Sequence, residues 1–297
     1  MKRNILSSPR LLELKRHRRR VILNKIFIAL IGFLAVFSLS AYLFRLDSLN
    51  ITEIQINGNK VVATEALRET VEEQITGNYF WLFPKTNFLI YPQHKIEIEL
   101  KNKFKRIKDI FINDKNIKTL EISLTEREAK YTWCGITPEL AVKPPSSLGG
   151  LTANDQPCYF MDEDGYIFDG APYFSGTVYF KFYGPQSSGS YFFKQNFKQL
   201  IAFKDILLGL GLKPVTLYVT SNGDVEIFLS KGASSRSTVE SKIIFKLEAD
   251  LQNVIENLEA ALNTEPLKSK FKNKYSSLLY IDLRFGNKVY DKFLETP

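Results

Sequence analysis

Histidine is nearly missing from this chain: two occur in 297 residues, His17 and His94. An uncharged run of 19 residues, Ile26 to Phe44, lies between them. If that run crosses a membrane, the two imidazoles sit on opposite sides, which excludes a histidine relay and a multi-histidine metal site. A cationic excess is missing from most of the chain as well. The net charge is +8, but ten of the 40 Lys/Arg and only one of the 32 acids fall in residues 1–45, leaving 30 basic against 31 acidic residues beyond. A body so close to neutral has no electrostatic footing for nucleic acid. Catalytic signatures are incomplete. Asp162-Glu163-Asp164-Gly165 starts like a calcium loop, lacks the later ligands and is flanked by alternating strands, so it reads as a hairpin turn. Ser269 and Lys272 stand at S-x-x-K spacing without the companion S-D-N or K-T-G, in a lysine-rich segment that reads as a solvated face. Gly149-Gly150 has no strand leading in and no helix following directly, as a phosphate cradle requires. The chain therefore reads as a non-enzyme with no cofactor and no metal.

What the chain does have is one long apolar run. At about 1.5 Å per residue, residues 26–44 span about 28 Å as a helix, close to a bilayer core. No second run approaches that length, so a single crossing is expected. Arg18, Arg19, Arg20 and Lys25 precede it and Arg45 follows it. The positive-inside rule then keeps residues 1–25 in the cytoplasm as a basic head, which also suits anionic lipid, and puts the bulk outside. The expected location is the cell membrane, single-pass, with a cytoplasmic amino terminus. A cleaved signal peptide is the rival, because Ser38-Leu39-Ser40 is a small-x-small pattern. The long basic n-region and the apolar continuation through Tyr42-Leu43-Phe44 favour an uncleaved anchor.

Beyond a short connector, 46–50, the patterning is α+β. Ile51, Ile54 and Ile56 read as a strand ending at the turn signal Asn57-Gly58-Asn59. Thr64-Glu65 opens a helix with Leu67, Val71 and Ile75 on one face, stopped by Gly77. In the aromatic connection 78–92, Phe80, Trp81, Phe83 and Phe88 are expected to pack in the core, with the membrane interface as the alternative. A second helix is expected over 93–104 and strands over 107–112 and 120–126, with Asn113–Asn116 as the polar turn between them. The order is β-α-α-β-β. Residues 135–157, rich in Pro, Gly and Ser, read as an exposed loop excursion. Then come a hairpin about Asp164-Gly165, a strand over 177–184 and a helix over 190–208. A hairpin about Asn222-Gly223 follows, then a long helix opened by the capping box Ser237–Glu240 and running to Leu262. Two strands, 278–285 and 288–293, close the chain around Gly286-Asn287. Cys134 and Cys158 are the only cysteines and bracket the loop. Outside the cell they are placed to form a disulfide, worth roughly 3 kcal/mol by closing a loop of about 25 residues; two reduced, buried thiols are the alternative.

This arrangement resembles the bacterial cell-division family FtsQ/DivIB. The strand LEISLTEREAKYTW is similar to the last strand of that family's POTRA domain, and ITEIQINGNKVVATEALRETV to its first strand, turn and helix. CYFMDEDGYIF, DVEIFLSKG and LLYIDLRFGNKVYDKF resemble parts of its β domain. The likeness runs over about residues 20–295. It implies a POTRA-like domain at 49–127 and a β domain at 128–297, after the head at 1–25 and the membrane helix at 26–44. The cysteine pair, the 135–157 loop and the SSGSYFFKQNFKQ helix depart from the family pattern. The resemblance implies a divisome scaffold at the septum that binds FtsB/DivIC-like and FtsL-like bitopic proteins and helps position or regulate septal peptidoglycan synthesis. The mode would be addition of a partner strand to the terminal edge Asn287, Lys288, Val289, Tyr290, Lys292 and Phe293, with Val289 and Tyr290 as side-chain contacts and the lysines setting register. Edge lysines also serve simply to block aggregation. A membrane-anchored cell-wall enzyme and a POTRA-type assembly or secretion protein are the alternatives. Protease added to intact, wall-stripped cells should digest the carboxyl-terminal body and spare residues 1–25; the opposite pattern on an immunoblot would reverse the orientation.

Overall fold

Residues Pro9 to Phe44 form one 36-residue helix, α1, in a computed structural model that describes residues 9–138, 157–172, 174, 178–230 and 241–294. Pro9 suits the first turn, where its missing N–H costs no helical hydrogen bond. From His17 to Phe44 the helix is long and apolar enough to cross a membrane. Arg18, Arg19, Arg20 and Lys25 are exposed on this helix, while residues 1–8 of the expected head lie outside the described residues. The helix also runs unbroken through Ser38-Leu39-Ser40. Its last carbonyl is captured twice, since the Asn50 and Asn87 side-chain amides both donate to Phe44 O, at 3.3 and 3.1 Å.

Two compact units divide the chain between Glu126 and Arg127. In the first, α1 is followed by β1 (Glu53–Asn57), α2 (Thr64–Ile75), a small hairpin of β2 (Asn78–Tyr79) and β3 (Phe83–Pro84), α3 (Gln93–Lys103), β4 (Ile107–Asn116) and β5 (Thr119–Glu126). The sheet order is β1-β5-β4, with β1 parallel and β4 antiparallel to β5. Leu67, Val71 and Ile75 on α2 and Ile96 and Leu100 on α3 share a core with Ile54, Ile110, Ile112, Leu120, Ile122 and Leu124. Helical and strand periodicities thus meet in one apolar layer, each such side chain worth about 1.5–3 kcal/mol on burial. The expected turn at Asn113–Asn116 is instead the end of β4. All four are exposed, and Asn113, Asp114 and Asn116 stay paired with β5 while Lys115 falls at a register shift, so polarity marks a solvated strand end. The aromatic connection also departs from expectation. Phe88 packs on the core, but Phe80 and Trp81 are 85% and 90% exposed, because the β2–β3 turn carries them beyond any partner surface.

The charged run at 126–128 is resolved one residue at a time. Glu126 turns back into the first unit, where its carboxylate accepts the backbone N–H groups of Lys60, Val61 and Val62 at 2.8–3.1 Å. Burial alone raises this carboxyl's pKa. The Val62, Lys60 and Val61 donors more than reverse that, so it sits below the ordinary carboxylate range. The same turn needs Gly58, whose φ is +91° and whose missing Cβ would stand 2.0 Å from the Leu124 carbonyl oxygen. Arg127 belongs to the second unit. It pairs with buried Asp162 at 2.5 Å and lies 3.9 Å over the Tyr166 ring. Asp162 also accepts N–H from Asp164 and Tyr166, so this acid closes a turn.

The second unit is a mixed nine-stranded sheet. Its strands are β6 (Tyr131–Trp133), β7 (Cys158–Met161), β8 (Ile167–Ala171), β9 (Lys181–Tyr183), β10 (Pro214–Val219), β11 (Asp224–Leu229), β12 (Ser241–Lys246), β13 (Leu278–Phe285) and β14 (Lys288–Phe293), in the order β14-β13-β12-β11-β10-β9-β6-β7-β8. Besides hairpins it holds parallel pairs, β6–β9, β9–β10 and β12–β13. Helix α4 (Phe197–Gly209) packs on β10, and α5 (Leu251–Asn263) and α6 (Leu267–Lys274) form the crossover from β12 to β13. Fully buried Phe182, Phe192, Phe197, Phe203 and Phe245 fill the core. Cys134 and Cys158 are joined by a disulfide, buried beside Tyr183 at the β6–β7 end of the sheet.

Three expected elements change here. The long helix to Leu262 is a strand plus a helix. Ile243, Ile244 and Phe245 are all buried in β12, and a short apolar run buried on both faces fits either period. The true helix start is Asp250, whose carboxylate accepts the Gln252 N–H at 3.0 Å; Ser237 and Glu240 lie outside the described residues. The helix over 190–208 starts only at Phe197, because Phe192 drops into the core and Phe193 takes a φ of +40°. The strand over 177–184 shortens to β9, Thr177 lying outside the described residues, as do 139–156 of the 135–157 loop. Gly58→Ala should destabilise the first unit by about 2–5 kcal/mol through a left-handed backbone and an overpacked contact. Hydrogen exchange should quicken in β1 and β5 and stay unchanged in β11 and β12.

Candidate partner-binding edge

A strand at the end of a sheet leaves alternate N–H and C=O groups without a ladder partner. The nine-stranded sheet has two such ends, and they are treated differently. At the β8 end, the segment 187–191 covers the edge: Ile167 N–H donates to Ser190 O at 2.9 Å, Gly189 N–H to Ile167 O at 2.7 Å, and the Ser188 hydroxyl to Phe168 O at 2.9 Å. At the other end β14 pairs with β13 alone among the described strands.

The sequence builds β14 by strict alternation. Lys288, Tyr290 and Lys292 are exposed, while Val289, Asp291 and Phe293 are half-buried. Val289 and Phe293 pack against the unit's core, and Asp291 pairs with Lys270 of α6 at 3.2 Å. Asn287 is exposed in the turn, where Gly286 has a φ of +61°. Of the six edge residues named from sequence, Val289 and Phe293 therefore point into their own unit. An added strand would meet their backbone; Lys288, Tyr290 and Lys292 offer side chains. Phe285 was not singled out from sequence. It stands edge-on to Tyr290 at 5.4 Å between ring centroids, and both rings are at least half exposed. Its signal was its place directly before the Gly286-Asn287 turn. The cysteine pair is at the far end of this sheet, and Arg18, Arg19, Arg20, Lys25 and Arg45 belong to the other unit.

An ion network steadies the approach to β14. Arg284 grips Asp282 with two nitrogens, at 2.9 and 2.6 Å, and reaches Asp224 of β11 at 2.8 Å; Lys246 of β12 meets the other Asp224 oxygen at 2.5 Å. The β13–β14 register shifts between Asp282 and Phe285, so these contacts pin the irregular stretch just before the turn. Burial pushes both carboxyls up, but Lys246 and Arg284 beside Asp224, and Arg284 beside Asp282, hold them below the usual carboxylate range. The alternation in LLYIDLRF makes Asp282 and Arg284 same-face neighbours; the reach to Asp224 depends on β12 lying between β11 and β13. Among the described residues, no group of three or more His, Cys, Asp or Glu stands where it could hold a metal ion. His94 is exposed in the first turn of α3.

No protein-family model and no curated protein matches this chain. The ion network yields a pH dependence. Both carboxyls release their protons more readily folded than unfolded, so their stabilisation is complete above about pH 4 and fades as pH falls through the lower folded-state values. The urea midpoint of the second unit should hold between about pH 7 and 5 and drop below about pH 4. Asp282→Asn should lower the plateau and flatten the drop.

Proposed function

We propose that this chain is a single-pass scaffold of the bacterial cell-division machinery, of the FtsQ/DivIB type. Its first unit is then a POTRA-like domain, and its second docks FtsB/DivIC-like and FtsL-like proteins at the septum, outside the membrane, to position or regulate peptidoglycan synthesis. Three features support the reading. A helix long and apolar enough to cross a membrane carries four exposed basic residues toward its amino-terminal end. A unit with a three-stranded sheet, two helices and the β2–β3 hairpin between those helices follows it within a few residues. The second unit's large sheet has β14 at one end, with one neighbour among the described strands.

The observation that carries the reading is the β14 edge. A bitopic partner brings a membrane-tethered segment to the same side of the bilayer, where an extended stretch can add to β14 through main-chain hydrogen bonds. Exposed Lys288 and Lys292 favour an acidic partner strand, and the Phe285–Tyr290 pair offers an apolar footing beside them.

Proline placed singly at each position from 288 to 293 tests this with the full chain and synthetic segments of candidate bitopic partners. N–H groups alternate between β13 and the open side. Prolines on the open side should weaken binding by about three- to tenfold per lost bond while leaving the melting of the sheet unchanged. Undiminished binding throughout the scan would show that partners dock elsewhere.

A further inference from the structure

The β2–β3 hairpin is fastened to α1 inside its apolar stretch. Phe83 sets its ring edge-on to Phe37 and Phe44, at 5.6 and 5.4 Å between centroids. Phe37, Ala41 and Phe44 follow an i, i+4, i+7 spacing on one helix face, and Ala41 between them is 8% exposed, in a helix whose other apolar residues are largely bare. Phe37 lies about 10 Å along the helix from Phe44, where the apolar run ends. The Phe83 ring therefore lies beside the last two turns of the apolar run, and the turn that carries Phe80 and Trp81 is held by Arg45 at the end of that run. Asn50 and Asn87 on Phe44 O, and Arg45 on the carbonyls of Leu82 and Trp81 at 3.1 and 3.2 Å, make the attachment stiff.

The tip of this hairpin is built against the preferences of water. Phe80 and Trp81 are exposed almost completely, and both hold positive φ, +47° and +60°, which bulky side chains rarely adopt. Nothing in the first unit's core needs them there. At a lipid interface the same arrangement is favourable: an indole and a phenyl ring gain apolar burial, and the indole N–H stays at headgroup level.

We propose that the β2–β3 hairpin is a membrane-docking finger, with Phe80 and Trp81 inserted between the headgroups and upper acyl chains of the leaflet on the first unit's side. The finger gives the first unit a second attachment beside α1 and sets its tilt on the bilayer. The proposal rests on α1 crossing the membrane.

The full chain in phosphatidylcholine–phosphatidylglycerol vesicles, with and without acyl-chain-brominated phosphatidylcholine, supplies the test. The chain has two tryptophans, and Trp133 is buried in the second unit, so the difference between the wild type and Trp81→Phe isolates Trp81. That difference spectrum should be blue-shifted from water-exposed indole and lose about half its intensity to bromine. A water-exposed spectrum overturns the finger, as does a blue shift without quenching, which would mean a protein surface such as a second copy covers the tip. Phe33→Trp in the Trp81→Phe background separates the two premises. Quenching at position 33 with none at Trp81 sinks the finger alone; quenching at neither position sinks the membrane span and the finger together.

Discussion

Backbone groups at a sheet edge must find hydrogen-bond partners, and that requirement organises the second unit. Nine strands in one sheet leave two edges, and the chain closes one by folding the 187–191 segment along β8. No described element does the same for β14. Its inward side is nevertheless well supported: Val289 and Phe293 rest on the core, Asp291 pairs with Lys270, and the Asp224–Arg284–Asp282 network holds the irregular stretch that leads into it. An edge that is rigid on one side and open on the other is what strand addition requires, because a floppy edge would lose the ordering entropy again on binding.

The junction between the units follows a similar economy of charge. Glu126 and Arg127 are adjacent in sequence and serve opposite masters. The carboxylate closes the turn after β1, and the guanidinium closes the 162–166 turn against Tyr166. Each of these two charges thereby finds its partner within its own unit, as a buried charge requires.

Helix α1 and the rest of the first unit are joined more tightly than a flexible tether would allow. Helix α1 ends in a carbonyl, Phe44 O, that accepts from Asn50 and from Asn87 of the segment after β3, and the hairpin preceding that segment packs on the helix. A division scaffold of the proposed kind gains from this, since a fixed attitude at the bilayer restricts the volume a membrane-tethered partner must search.

Sequence alone determined the elements whose periodicity is long or whose punctuation is chemical. These are the apolar rod of α1, the α2 stripe Leu67-Val71-Ile75, the alternation of β5, and the two closing strands about Gly286-Asn287. Each follows from local repeats of 3.6 or 2 and from residues that tolerate a turn. Tertiary structure alone decided what short ambiguous runs became. Ile243, Ile244 and Phe245 could line a helix or fill a strand, and they form β12 because β11 and β13 offer ladder partners on both sides. Phe80 and Trp81 read as core aromatics, yet the β2–β3 turn carries them into the open. The resemblance named the terminal strand as an edge; that the other end of the sheet is closed by 187–191 was invisible in the residues, because a strand's neighbours are a property of the whole sheet and not of the strand.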